Sequence, residues 1–519
     1  VKGNTPLLPP PPVSYRTCDE NGQNWKTDSC SKYTVVESNK TTWNDGWYVA
    51  SGSVTISERV TVSGDVRLIL EDGAVLTIEK GIQVQDDDQD LSNGSANKLT
   101  IYAQSDSENM GALTANGANL AAGIGGGGRG SGGGTITING GDVKAQGGNF
   151  YSTFSCWDTY RAAHPFYTIV MPDRVDGMVN SLVEQAEVQG FLPIWGLWGK
   201  ENYCMVANHA VSIVAEAYHK GFRGFDAERA FQAIKKTQTV SHKLKSDWEN
   251  YMKYGYLPTD LTEAESVSSS LESMYDDYCA YDMARLMGKK QDEQYFARRS
   301  QFYKNLFDKS TQFMRPRLSD GTWKTPFDPS NLAHAESTGG DYTEGNAWQY
   351  TWQVQHDIPG LIKLFGGPKP FLKKLDQFFT LKLESNLSDV TGLIGQYAHG
   401  NEPSHHVAYL YALAGRPSRT QELIREIFDT QYRPTVDGLC GNDDCGQMSA
   451  WYMLSAMGFY PVNPVSGQYV FGAPQMKKIT VHLQNGKTFT VIADGLSEAN
   501  KYVASITLNG KKLSKNYID

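Results

Sequence analysis

The 519-residue chain predicts a multidomain α and β protein: N-terminal β-solenoid-like repeats, a central (α/α)6 toroid and a short C-terminal β-region. Three observations carry this. The chain is longer than a single core can fill. Its apolar residues recur with a period of two from about 46 to 148 and near 3.6 from about 150 to 460. Beyond Pro461 the period returns to two. The expected segments are a Pro-rich leader and linker at 1–45, a β-repeat region at 46–149, a catalytic-type helical domain at 150–462, and an incomplete β-strand region at 463–519.

The leader contains four prolines, Pro9 to Pro12, which favour an extended polyproline II tether. Short strands follow, among them Val54-Thr-Ile56, Val66-Arg-Leu-Ile-Leu70, Val75-Leu-Thr-Ile78 and Leu99-Thr-Ile101, separated by Gly, Asp or Ser. Such spacing suggests a β-solenoid, used either as a spacer or to bind a carbohydrate ligand. The run from Gly123 to Gly134 holds a formal G-x-G-x-x-G, but a strand rather than a helix follows it, so it reads as a loop. Asp86, Asp87, Asp88 and Asp90 resemble a calcium loop without its turn glycine or closing glutamate, and read as a solvated turn.

Helical periodicity marks 178–189, 208–220, 226–238, 268–287, 292–308, 369–380, 404–414, 417–430 and 447–457. About 310 residues at roughly 25 per helix and turn make about twelve helices, the number in a toroid. A helical-repeat solenoid is the structural rival. In the last segment Asn485-Gly486 and Asn509-Gly510 signal hairpins.

A net charge of −9 without a basic stripe argues against nucleic acid. No apolar run approaches the ~20 residues of a membrane span. No signal peptide is read after Val1. Seven cysteines exclude a disulfide scaffold. Cys18 and Cys30 are positioned in sequence to close a small loop, Cys440 and Cys445 sit five apart beside acids, and the other three read as buried or free thiols.

Chemistry concentrates in four segments dense in aromatic, carboxylate and amide side chains. They begin at Phe154, Gly339, Gly395 and Gly441 and end at His164, Tyr350, His406 and Tyr452. Glu344, flanked by Tyr342 and Trp348, suits a protonated general acid if burial outweighs the adjacent helix N-terminus. Asp443 and Asp444, just ahead of a helix, should stay ionised as a general base requires, or serve as an ordinary N-cap. Glycoside hydrolysis needs such a pair. Gln396, Asn401 and Glu402 are hard oxygen donors suited to Ca2+. His399, His405 and His406 keep zinc open, although Pro403 interrupts the helix that zinc motifs need.

Four strings, Trp157-Asp-Thr-Tyr-Arg-Ala-Ala-His-Pro165, Tyr342-Thr-Glu-Gly-Asn-Ala-Trp-Gln-Tyr350, His399-Gly-Asn-Glu-Pro-Ser-His-His406 and Gly441-Asn-Asp-Asp-Cys-Gly-Gln-Met-Ser-Ala-Trp-Tyr452, resemble glycoside hydrolase family 92. The resemblance covers about 150–519. It implies a calcium-dependent exo-acting α-mannosidase, α-1,2-directed and inverting, acting on mannose-containing glycans outside a bacterial cell: secreted, periplasmic or surface-held. It makes Glu344 the acid, Asp444 the base with Asp443 second, and Gln396, Asn401 and Glu402 the calcium region. Trp157, Asp158, His164, Trp348 and His405 would line the sugar pocket. A non-catalytic glycan-binding or surface protein is the alternative, because the β-sandwich that family members carry ahead of the toroid is replaced here by the repeats.

Overall fold

The computed structural model describes residues 11–18, 24–84, 97–107, 109–116, 124–125, 135–139, 142–146, 150–197, 200–242, 246–334, 337, 340–382 and 390–518. Pro9, Pro10, the aspartates at 86–90 and nearly all of the Gly123–Gly134 run lie outside them. The chain divides into two compact units, Val1–Phe150 and Tyr151–Asp519.

In the first unit, strands stack in parallel. Thr42–Ala50 pairs with Val60–Leu70, which pairs with Lys98–Ala103, which pairs with Thr135–Asn139. A second sheet runs Ser53–Ile56, Val75–Ile78, Ala112–Asn116, Asp142–Gln146, again all parallel. The register is set by the two-residue period: Val54, Leu76, Leu113 and Val143 lie opposite one another, so one apolar column faces one core. Leu68, Leu70, Leu99 and Ile101 from the first sheet fill the same core.

The leader is not all tether. Val13–Thr17 and Lys26–Cys30 form an antiparallel hairpin whose register puts Val13 opposite Cys30 and Thr17 opposite Lys26. Cys18 therefore lies at the other end of the ladder from Cys30, beyond disulfide reach at about 3.3 Å per residue. The loop closure expected for this pair does not form, and all seven cysteines are free thiols.

The second unit is helical. Its long helices are Pro172–Gln189, Ala210–His219, Ala227–Thr239, Ser266–Leu286, Lys290–Arg299, Pro368–Thr380, Pro417–Gln431 and Gln447–Met457. Ser266–Leu286 is buried over most of its length yet carries Glu272, Asp276 and Asp277. The helix expected over 292–308 stops at Arg299, and 404–414 breaks into short turns and the four-residue helix Leu410–Leu413. Short strands close the unit. Phe459–Tyr460 pairs with Tyr469–Phe471 and that with Tyr517–Ile518. Lys478–His482 and Thr488–Ile492 form a hairpin, as do Thr507–Leu508 and Lys511–Lys512, at the two Asn-Gly signals.

Candidate active site

Two of the four segments converge through backbone close approach. A Cβ on Gly400 would lie 2.0 Å from Thr391 Oγ1, and one on Gly441 would lie 2.8 Å from the Cα of Gly400. A side chain at Gly441 would strike the Gly400 backbone and one at Gly400 would strike Thr391, so both positions favour glycine. The other two are tied in by amides, the Asp158 segment through the Ala162 N–H to Gln447 Oε1 and the Glu344 segment through two further bonds. Asn401 Nδ2 donates to the Glu344 carbonyl at 2.8 Å, and Gln349 Nε2 donates to the Gln396 carbonyl at 2.9 Å. Asn346 and Gln349 form a capping box that starts the Ala347–Tyr350 helix just after Glu344.

This convergence gathers Asp158, Glu402 and Asp444, with one carboxylate oxygen of each within 4.8 Å of the others. Asp158 sits on the Cys156–Thr159 helix, Glu402 on a 3-10 turn, and Asp444 in the turn ahead of Gln447. Asp158 and Glu402 are buried and Asp444 is half-buried. Asp444, Cys445 and Gly446 all take positive φ, as does Glu344. For the non-glycine residues such backbone costs of order 1–3 kcal/mol each, and it concentrates where side-chain placement matters for function.

Burial raises the Asp158 carboxyl to about 7, with the Asp444 charge adding to the effect. Burial also pushes Glu402 well above the carboxylate range, followed by the charges of Asp158 and Asp444. Like charges at this separation cannot all ionise unless something positive joins them. Glu402 Oε1 is buried and takes no hydrogen bond. A hard divalent cation fits that donor chemistry, and Asp158 and Glu402 would hold it, with Asp444 beside them.

Arg161 is the nearby protein cation, buried against the Trp157 and Tyr160 rings. Its charge is shared. Nη2 lies 3.7 Å from Glu272, whose carboxylate also meets His209 Nε2 at 2.6 Å, while His209 Nδ1 meets Asp276 at 2.8 Å. Burial alone would lower the His209 pKa, but Asp276 and Glu272 outweigh it and raise it to about 9. Two cations and two carboxylates thus balance in this second group. Arg161 completes its bonding through Nε to the Trp157 carbonyl at 2.9 Å and Nη1 to Gln353 at 3.4 Å.

Other expected site residues are placed differently. Gln396 Oε1 accepts from Asn346 and its amide nitrogen donates to the Leu381 carbonyl, while Asn401 Oδ1 accepts from the Glu402 N–H. Each amide oxygen accepts one hydrogen bond from the protein, and Glu402 is the member of the expected metal set within the carboxylate group. Trp348 is turned into the core, with Phe313 edge-on at 4.7 Å and Lys374 Nζ 4.4 Å from its ring centre, so it offers no open sugar platform. Trp157 packs with Ile194, Met205 and Val206 and is likewise covered. His164 lies between Phe154 and Tyr167, and burial lowers its pKa to about 4.

The histidine cluster is structural. His399 meets the Tyr397 and Tyr432 hydroxyls at 2.7 and 2.8 Å, His405 meets the His399 carbonyl and Gln447, and His406 meets the Trp352 carbonyl. Five of the six ring nitrogens are thus occupied by protein groups, which removes the zinc reading of this segment. Asp443 is exposed, and its Oδ1 accepts from the Ser449 N–H and hydroxyl at 3.0 and 2.7 Å, a helix-start role.

Sequence reasoning assigned no role to Glu272, His209, Asp276 or Gln447. The readable signal was the pair Glu272 and Asp276, one helical turn apart on the Ser266–Leu286 helix.

The chain belongs to glycosyl hydrolase family 92, whose catalytic-domain model matches residues 133–519. It is similar to a solved family GH92 alpha-mannosidase from Bacteroides thetaiotaomicron, in complex with mannoimidazole, at 43% identity and TM-score 0.68, covering 72% of this chain and 50% of that one. It is similar also to a family GH92 inverting mannosidase from Bacteroides thetaiotaomicron VPI-5482, at 34% identity and TM-score 0.65, covering 72% and 52%. An uncharacterized secreted glycosidase of Arthroderma benhamiae is 29% identical over 374 residues, 65% of this chain and 46% of that protein. The chain thus spans about half the length of these relatives.

Proposed function

We propose that this protein is an exo-acting, inverting α-mannosidase that releases terminal mannose from glycans, with α-1,2-linked mannose as the preferred target and calcium as its cofactor. The observation that carries this reading is the meeting of Asp158, Glu402 and Asp444 from three separate family segments at one buried point. Glu344, on strained backbone bonded to Asn401, gives its proton to the glycosidic oxygen as the bond to C1 breaks. Asp444 takes a proton from the water that attacks C1 on the opposite face, which inverts the anomeric centre. Asp158 and Glu402 orient the sugar's hydroxyls and the metal. Calcium, when bound, supplies positive charge and an anchor for neighbouring sugar hydroxyls.

The fold readings behind this are an (α/α)6 toroid over 150–462, a C-terminal β-region over 463–519, and a β-solenoid over 46–149 behind the 1–45 leader. The parallel, in-register strands support the solenoid, and a carbohydrate ligand suits it. Export is supported by the similarity to the secreted glycosidase of Arthroderma benhamiae. The second reading, which the same meeting of carboxylates supports, is glycan binding without hydrolysis.

Hydrolysis of α-1,2-mannobiose followed by proton NMR separates the two. Early appearance of β-mannose, stopped by a chelator and restored by calcium, is expected. No release from folded protein supplied with calcium selects the binding reading, and early α-mannose removes the inverting mechanism.

A further inference from the structure

The Ala163–Val170 helix begins without a cap of its own. Ala162 stands at the N-cap position, where the side chain has no acceptor. The acceptor comes from 285 residues away: Gln447 Oε1 takes the Ala162 N–H at 2.8 Å and the Ala163 N–H at 3.2 Å. The same amide's Nε2 meets His405 Nδ1 at 3.0 Å, while His405 Nε2 meets the His399 carbonyl at 3.0 Å. A carbonyl only accepts, so His405 carries its proton on Nε2 and leaves Nδ1 bare to accept from Gln447. That fixes the amide's orientation, with its oxygen toward the two alanines. Gln447 is fully buried, and its own N–H donates to the Asp444 carbonyl at 3.2 Å.

Each of these bonds ends close to a different carboxylate. Ala162 lies four residues after Asp158, His405 three after Glu402, and Gln447 three after Asp444. Trp451, one turn along the same helix, donates from Nε1 to the His405 carbonyl at 3.0 Å and reinforces the second tie. Gln447, itself part of the Asp444 segment, thus bonds through its side chain to the other two.

We propose that Gln447 is a positioning residue that sets the mutual register of Asp158, Glu402 and Asp444. It touches neither substrate nor metal and acts through the three loops it joins. The inference rests on the reading of those carboxylates as the working site. If the loops drift by even half an ångström, the oxygens no longer converge, although each segment can keep its local fold.

The test uses Gln447→Met, which keeps the length and removes the three side-chain bonds, beside Leu454→Ala, a cavity in the same helix as a control for stability alone. Calcium affinity is read by calorimetry, mannobiose hydrolysis as kcat and KM, and folding by thermal melting. Expected for Gln447→Met are calcium binding weakened at least 10-fold and kcat reduced about 100-fold, with KM within about 3-fold. Leu454→Ala should melt as low or lower while keeping calcium affinity and kcat within about 2-fold.

Should Gln447→Met not fold, Gln447→Glu retains the two alanine N–H acceptors but sets a carboxylate against the bare His405 nitrogen. It is expected to fold and to lose at least 10-fold in calcium affinity. Gln447 variants with wild-type affinity and kcat overturn the proposal, as does an equal loss in Leu454→Ala. A wild-type protein that binds calcium but hydrolyses nothing overturns the mannosidase reading instead, and the calcium arm still decides the role of Gln447.

Discussion

Two of the groups of buried carboxylates in the helical unit are solved differently. Around Glu272 and Asp276, the protein supplies its own cations: Arg161 on one side, and His209 held between the two acids. Asp158 and Glu402 draw on the charge of Arg161, which is hydrogen-bonded elsewhere, and one buried oxygen of Glu402 takes no hydrogen bond. A balanced group is a structural element whose disruption is felt in stability. An unbalanced one holds protons or a cation at neutral pH, and changes there are felt in binding and catalysis.

The sharpest way to break this contrast is to neutralise the chemistry on the unbalanced side. Glu344→Gln and Asp444→Asn should each lower kcat by about 10²–10⁴-fold, with thermal melting close to wild type. Steady-state kinetics beside a melting curve check both halves. If Glu344→Gln leaves the rate unchanged, the general acid is another residue.

On the balanced side the effect should move to stability. Glu272→Gln leaves His209 and Arg161 without their shared carboxylate and should cost about 3–5 kcal/mol in denaturant unfolding. The pH dependence has a definite sign. His209 has a folded pKa of about 9, above an unfolded value near 6.5, so its contribution is complete below about pH 6.5. It is lost as pH rises through about 9, and amounts to about 3 kcal/mol. Unfolding titrations between pH 6 and 10 should show that loss in the wild type. A His209→Gln variant should lack the slope.

The smallest effect should come at Asp443. Its carboxylate caps the start of the Gln447–Met457 helix through Ser449. Asp443→Ala should therefore cost about 1 kcal/mol of stability and leave kcat within a few-fold, in contrast to its neighbour Asp444.

Much of this arrangement was legible before any coordinates. The alternation in Val54-Thr-Ile56 and Val75-Leu-Thr-Ile78 placed strands because a two-residue period admits one buried face. The 3.6 period likewise located most long helices. The Val13–Thr17 and Lys26–Cys30 hairpin was missed because Lys-Thr-Asp-Ser-Cys carries no apolar alternation. Glu344, Asp444 and Glu402 stood out as carboxylates in unusual local company. What could not be read was which of them meet. Asp158 and Asp444 are 286 positions apart, and their approach depends on glycines, an amide and a strained turn whose meaning is purely three-dimensional. Trp348 and His405 were expected at a sugar surface because aromatic and imidazole groups are shared by binding sites and cores. Only the packing around Lys374, Phe313 and Gln447 distinguishes the two.

The most direct test of the contrast between the two groups is a calcium titration by calorimetry on the wild type, on Asp158→Asn combined with Glu402→Gln, and on Glu272→Gln, all under conditions where each is folded. One calcium ion per chain should bind the wild type and Glu272→Gln with similar affinity, and binding should vanish in the double variant. No binding to the wild type, or binding that survives loss of Asp158 and Glu402, would contradict the assignment of the unbalanced carboxylates as the cation site.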